Sequence, residues 1–173
     1  ALAEGNIVRS NSQTNLLVNG VANIYAEKAA NGVGLNAFER FELGNNQIAN
    51  LYFKTQNGTT ALHTLVNTVE NQISISGTVN AIRNGKIGGN LYFLSPKGMV
   101  VGSTGVINAG SLTMITSGKT FKNSLGSLDP DAAAAAIAAN NWELNEDAKI
   151  DIHGQINTAT GIDLRAAYIN VTK

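Results

Sequence analysis

The sequence predicts an all-β protein, a right-handed parallel β-helix with inserted β-hairpins and one short helix. Three observations lead to this prediction: apolar runs with a period of two residues, frequent Asn-Gly pairs, and a short motif that repeats along the chain. A chain of 173 residues is long enough to bury a sizeable core. We therefore treat residues 1–173 as a single domain.

The repeated motif consists of glycine, any residue, a β-branched aliphatic residue, asparagine and a small residue. Its copies are Gly77-Val79-Asn80-Ala81, Gly105-Ile107-Asn108-Ala109 and Gly154-Ile156-Asn157-Thr158. Self-similar strand-turn units predict a solenoid in which each coil stacks on the coil before it. The copies are unequally spaced, so insertions must interrupt the coils. A β-sandwich with similar turns is the alternative.

The turns between the strands are marked by Asn-Gly pairs. Both residues tolerate positive φ, so each pair favours a tight turn. The pairs are Asn19-Gly20, Asn31-Gly32, Asn57-Gly58 and Asn84-Gly85. Between them, alternating apolar and polar residues predict half-buried strands.

One continuous core is expected inside the coils, because inward-facing aliphatic residues of successive coils stack on one another. The residues expected in this core are Ile73, Ile75, Val79, Ile107, Leu112, Ile150, Ile152 and Ile156.

Residues 129–142, which read DPDAAAAAIAANNW, predict the short helix. Asp129 is a good N-cap and Pro130 suits the first helical position. The alanine run then continues to Asn140. We expect a helical insertion over about residues 129–141, packed on the β body through Ile137 and Trp142.

Composition limits the classes of function. The 12 basic and 12 acidic residues give a formal net charge of zero, which argues against nucleic acid as a partner. Signatures of catalytic, metal and nucleotide sites are weak, so we expect no enzyme activity, no metal and no cofactor.

Two features are compatible with export. The chain contains no cysteine, and a disulfide formed early would hinder threading through a narrow pore. Ala1-Leu2-Ala3 has the A-x-A pattern of a signal-peptidase site, although it could equally be a mature start.

Two stretches resemble the secretion domains of two-partner secretion exoproteins. The stretch GLNAFERFELGNNQIANLYF, residues 34–53, is similar to that family's Asn-x-Phe-x-x-Phe-x-Val segment. The matching residues are Asn36, Phe38, Phe41 and Leu43.

The second stretch, residues 89–118, resembles the family's Asn-Pro-Asn-Gly-Ile segment and the sequence that follows it. Ser95, Pro96, Lys97, Gly98 and Met99 hold the place of the motif. Asn108, Leu112 and Thr116 follow as in the family. Both asparagines of the motif are replaced, but Ser95 can still bond the local backbone, and Pro96 and Gly98 can set the turn.

The resemblance implies the N-terminal secretion domain of a large filamentous adhesin, haemolysin or leukotoxin-like protein. Such a protein is exported through the periplasm and across the outer membrane of a Gram-negative cell. It is then secreted or held at the cell surface, where it often contributes to virulence. The implied partner is an outer-membrane β-barrel transporter with periplasmic POTRA domains. Host-cell or matrix ligands would bind downstream regions.

The resemblance also implies which residues matter for export. The secretion motif comprises Asn36, Phe38, Phe41, Ser95, Pro96, Lys97, Gly98 and Met99. These residues either contact the transporter or shape the domain. Leu16 to Tyr25 and Leu51 to Phe53 are candidate segments for strand addition to a sheet edge of the transporter's periplasmic domains. Further coils are expected after Lys173.

The alternative function is a carbohydrate-binding or polysaccharide-degrading β-helix. Such an enzyme needs carboxylate or basic side chains stacked on one face, whereas the repeat positions here carry Ser, Thr and Asn. Sugar binding through Tyr25, Tyr52 or Tyr168 stays open.

Overall fold

The computed structural model describes residues 5–172, which form fifteen strands and one helix. Twelve of these strands pair in parallel with strands of a neighbouring turn of the chain, whereas β1, β3 and β9 pair antiparallel. The elements are β1 Asn6–Arg9, β2 Val21–Ala26, β3 Lys28–Ala30, β4 Val33–Leu43, β5 Ile48–Thr55, β6 Thr64–Val69, β7 Ile73–Ile75, β8 Thr78–Arg83, β9 Lys86–Ile87, β10 Asn90–Leu94, β11 Met99–Val101, β12 Val106–Ile115, α1 Pro130–Ala139, β13 Lys149–Ile152, β14 Gln155–Arg165 and β15 Tyr168–Val171.

The strands form three parallel ladders. Face A contains β2, β5, β8 and the first halves of β12 and β14. Face B contains β4, β6, β10 and the second halves of β12 and β14. Face C contains the end of β4 followed by β7, β11, β13 and β15. Because the chain visits faces A, B and C in turn five times, the protein is a parallel β-helix, as the sequence predicts.

The core runs through the centre of the coils. Seven of the eight aliphatic residues expected there are buried, and Ile156 in the last coil is partly buried against the same cluster. In-register pairs such as Ile75 with Val101, and Val101 with Ile152, show the stacking directly. The prediction of one continuous core is therefore confirmed.

The helix has the predicted caps. The Asp129 side chain accepts hydrogen bonds from the backbone N–H groups of Asp131 and Ala132, and Asn140 ends the helix with φ 51°. The helix lies in an insertion between β12 and β13 that covers the outer side of face B. A second apolar cluster forms there, in which Ala133 is buried and Ile137 and Trp142 are partly buried.

The inserted hairpins are also present. Asn31-Gly32 joins β3 to β4 and Asn84-Gly85 joins β8 to β9, with positive φ at all four residues. This conformation matches the twist of a two-residue hairpin. Asn57-Gly58 differs: it lies in a turn closed by the Gly58 N–H and the Thr55 carbonyl, without positive φ.

The two ends of the coil differ. At one end, β1 pairs antiparallel with β4, Ile7 is fully buried, and Leu16 and Leu17 pack on the core. At the other end, Ile169 and Val171 of β15 are in register with the buried Ile150 and Ile152 but are 45% and 62% exposed. We call these the closed end and the open end.

Among residues 5–172, no helix is long and apolar enough to cross a membrane. Ala1-Leu2-Ala3 and the continuation expected after Lys173 lie outside the described residues.

Candidate functional site

The aromatic half of the secretion motif lies inside the coil. Phe38 and Phe41 are fully buried with ring centroids 5.4 Å apart in an edge-on arrangement. Phe41 makes a second edge-on contact with Phe93 of β10, at 5.3 Å. These rings therefore fill the core, and neither offers a surface to a partner in the folded domain.

A β-bulge explains how two phenylalanines three residues apart both point inward. The register of β1 on β4 shifts between Val8, which faces Arg40, and Arg9, which faces Phe38. Glu39 is the extra residue and is exposed. A regular strand would place Phe38 and Phe41 on opposite faces.

Asn36 is the centre of a buried polar network. Its Nδ2 donates to Oδ1 of Asn67 at 3.1 Å, and Asn67 donates to the Tyr92 carbonyl at 3.1 Å. Its Oδ1 accepts from the Arg9 guanidinium at 2.8 Å and from the Glu27 N–H at 3.1 Å. The two amide side chains, Asn36 and Asn67, thereby join three coils on face B.

Arg9 connects this network to the closed end. Its guanidinium lies 3.1 Å from the Glu27 carboxylate, donates to the Tyr25 carbonyl at 2.9 Å and sits 5.6 Å from the centroid of the Phe38 ring. Glu27 in turn accepts from the Ala37 N–H at 2.8 Å. Because Arg9 belongs to β1, these bonds hold β1 on the first coil.

The second half of the motif forms the corner between β10 and β11. Ser95, Pro96 and Gly98 occupy the first, second and fourth positions of a turn closed by the Gly98 N–H and the Ser95 carbonyl at 3.4 Å. Serine, proline and glycine are favoured at these positions. The Ser95 hydroxyl accepts from the Lys97 N–H at 3.2 Å, as expected for a residue that replaces asparagine.

The corner is tied to two neighbouring parts of the chain. The Ser95 hydroxyl donates to the Asn71 carbonyl at 2.8 Å, and Asn145 donates to the Pro96 carbonyl at 2.7 Å. Gly98 has φ +88°, and a Cβ there would overlap the carbonyl oxygen of Lys149. The backbone of the next coil therefore approaches so closely that only glycine fits.

The eight motif residues differ in their exposure to solvent. Asn36, Phe38, Phe41, Ser95, Gly98 and Met99 are buried, Pro96 is half-buried and Lys97 is exposed. A crevice of about 170 Å³ lies beside Pro96 and is bordered by Glu70 and Lys119. The structure thus brings Asn36 and Phe38 together through Arg9. It places the corner two coils away on the same edge, between faces B and C, because Ser95 bonds to the Asn71 carbonyl and Asn71 bonds to the Glu39 carbonyl.

The candidate segments for strand addition are poorly available in the folded domain. Leu51 and Phe53 are buried, and their strand β5 pairs with both β2 and β8. At the edge strand β2, Val18 bridges to Val21 and the Tyr25 carbonyl is bonded to Arg9. Addition at Leu51 to Phe53 would require these strands to separate first.

Face A carries an asparagine ladder that the sequence motif predicts only in part. Four bonds of 2.8–3.1 Å connect the side chains, each from Nδ2 to Oδ1 of the preceding coil, with intervals of 27, 30, 28 and 49 residues. The ladder consists of Asn23, Asn50, Asn80, Asn108 and Asn157. The motif identified the last three; Asn23 also follows a glycine, Gly20, by three positions, but Ala22 takes the place of the β-branched residue.

In residues 5–172, no group of three or more His, Cys, Asp or Glu side chains could hold a metal ion. Of the three tyrosines considered for sugar binding, Tyr25 and Tyr52 are half-buried with ring centroids 4.7 Å apart, whereas Tyr168 is exposed.

No family model and no curated protein matches this chain.

Proposed function

We propose that this chain is a secretion domain of the two-partner type, which starts β-helix folding of a larger exoprotein outside the cell. The observation that carries the proposal is the difference between the two ends of the coil. The closed end has its own cover in β1, whereas inward-facing aliphatic residues are exposed at the open end. A coil that is closed at one end and open at the other can add turns in one direction.

The open end has the chemistry of a template. Ile162, Ile169 and Val171 are 49%, 45% and 62% exposed, although their partners Leu112, Ile150 and Ile152 in the previous coil are buried. An added coil would bury them, which stabilises by about 25 cal/mol per Å² of apolar area. Such burial outside the cell would favour movement of the chain out of the cell over its return, so export would not require nucleotide hydrolysis.

The motif residues serve this function through the fold. Asn36, Phe38 and Phe41 fix the first coils and attach the closed end, and Pro96 with Gly98 sets a corner in the third coil. Their loss would block export because the domain misfolds. Lys97 is exposed at the corner and is the motif residue best placed to contact the transporter's periplasmic domains.

Export with and without a transporter tests the proposal. The chain would be produced with a signal peptide in a Gram-negative host, with or without an outer-membrane transporter of this class. We expect the chain in the medium only when the transporter is present. Retention in the periplasm in both cases, or release in both cases, would refute the proposal.

A pair of surface variants separates recognition from folding. Lys97→Glu reverses the charge at the corner tip, and Lys86→Glu reverses a charge in the exposed hairpin strand β9. Both should keep the circular dichroism spectrum and melting temperature of the parent chain. We expect reduced export for Lys97→Glu only; equal export of the two variants would remove Lys97 from the recognition surface.

A further inference from the structure

A polar groove of about 980 Å³ lies beside β2 at the closed end of the coil. Three separate parts of the chain form its walls: β1 with the loop after it, the turn after β5, and the insertion around Lys122 to Leu128. Ligand sites form where elements converge in this way, and they typically hold about 300–1,000 Å³.

The asparagine ladder ends in this polar groove. Asn23 lines it, and the Oδ1 of Asn23 accepts from Nδ2 of Asn50 at 3.1 Å and from the Tyr52 hydroxyl at 3.2 Å. Among residues 5–172, no group accepts a hydrogen bond from Nδ2 of Asn23. Two accepted bonds polarise the amide and strengthen its N–H groups as donors.

The charges in the polar groove favour an anion. Glu27 is its only carboxylate among the described lining residues, and Arg9 neutralises it at 3.1 Å. Lys28 and Lys122 also line the groove and are exposed. In residues 5–172, neither ammonium is within ion-pair distance of a carboxylate. The groove is therefore complementary to a ligand that supplies negative charge and hydrogen-bond acceptors.

The polar groove also has an apolar surface. Tyr25 is half-buried, and Leu16 and Leu128 lie in the lining with it. The Tyr25 carbonyl is bonded to Arg9 at 2.9 Å, so the edge of β2 offers an added peptide strand an incomplete ladder. The ligand best suited to this surface therefore binds the side chains of the groove rather than the backbone of β2, and it carries an apolar face.

We propose that the polar groove binds an acidic oligosaccharide that contains uronic acid residues. The C–H face of a sugar ring packs on Tyr25, hydroxyl oxygens accept from Nδ2 of Asn23, and the carboxylates bind Lys28 and Lys122. Charge-assisted bonds of this kind are stronger than neutral ones. This binding is separate from secretion and needs no transporter.

Calorimetric titration of the purified chain with an oligogalacturonate tests the proposal. We expect measurable binding, weakened about threefold by Lys28→Gln or Lys122→Gln, since an ion pair at an exposed lysine contributes less than a tenfold change in affinity. Lys86→Gln is the matched control, because Lys86 is exposed in β9 away from the groove. A neutral oligomer of the same length should bind more weakly.

The two ends of the ladder provide a second matched pair. Asn23→Ala should weaken oligogalacturonate binding, whereas Asn157→Ala, at the exposed far end, should leave it unchanged. Equal loss in both variants would contradict the role of Asn23. Absence of binding, or an equal loss with Lys86→Gln, would overturn the proposal. So would an oligoglutamate that binds as tightly with the same lysine dependence, because the ligand would then be a peptide.

Discussion

Asn36 donates a hydrogen bond to Asn67 at 3.1 Å, and neither side chain is exposed to solvent. The bond joins adjacent coils on face B, and Arg9 of β1 bonds to the same Asn36 side chain. Within residues 5–172, no buried polar side-chain atom lacks a partner. The attachment of the closed end therefore depends on a fully satisfied network, and removal of one member leaves several buried groups unpaired.

Asn36→Ala tests this network. We expect it to lower the free energy of unfolding by about 1–3 kcal/mol, because the partner groups of Asn36 stay buried without a bond. Urea denaturation measures the change. Asn157→Ala, at the exposed end of the asparagine ladder, should cost about 0.5 kcal/mol or less. Equal losses in the two variants would show that the buried network adds no stability.

Gly98→Ala tests the corner. Gly98 and Gly126 both have positive φ, at +88° and +82°, but a Cβ at Gly98 would overlap Lys149, whereas nothing lies within 4 Å at Gly126. Gly126→Ala should cost about 1–2 kcal/mol for the left-handed conformation alone. Gly98→Ala should cost clearly more, as measured by denaturation. Similar costs would mean that the close approach of the next coil is unimportant.

Replacement of Phe38 and Phe41 with serine tests the aromatic pair. Truncation of a buried phenylalanine typically costs about 3–5 kcal/mol, and the two rings contact each other. We expect the double variant to be unfolded by circular dichroism and retained in the periplasm, where proteases degrade it. A variant that remains folded but is not exported would instead assign the rings to recognition.

Single truncations inside the coil test the stacking. Ile150→Ala removes a fully buried side chain that lies in register with Met99. The expected cost is about 2–4 kcal/mol in the free energy of unfolding. Ile87→Ala, in the hairpin strand β9 where Ile87 is 51% exposed, should have little effect on the same measurement. A cost near zero at Ile150 would contradict the continuous core.

The open end should promote self-association. Exposed apolar side chains on an unpaired edge strand are an aggregation hazard. We expect sedimentation analysis to show association that rises with concentration and falls when Ile169 and Val171 are replaced with lysine. Leu125→Lys is the control, because Leu125 is 88% exposed in the distant insertion. An equal effect of both changes would remove the open end as the cause.

The sequence predicts the fold well because the coil is built from local signals. Gly105 illustrates this: a Cβ there would overlap the Ile75 carbonyl of the previous coil, so the corner demands glycine and the motif repeats. The asparagine three residues later, Asn108, is held by hydrogen bonds to Asn80 and Asn157 of the neighbouring coils. The motif does not predict Asn50, because Gln47 stands where the other copies have glycine.

The contacts between distant parts of the chain could not be predicted in the same way. The bonds from Arg9 to Asn36 and to Tyr25 bridge 27 and 16 residues, and no periodicity relates their positions. The bulge at Glu39 also has no local signature, although it decides that Phe38 points inward. The polar groove depends on the path of the insertion, which the sequence leaves open.

Export of fusions tests most directly whether folding at the open end biases export. An unrelated, fast-folding domain would be fused after residue 173, and its export compared with that of an intrinsically unfolded segment. A destabilised variant of the same domain is the control for size and sequence. Templating predicts export of the unfolded segment and the destabilised variant, with retention of the folded domain. Export of the folded domain in equal amount would contradict it.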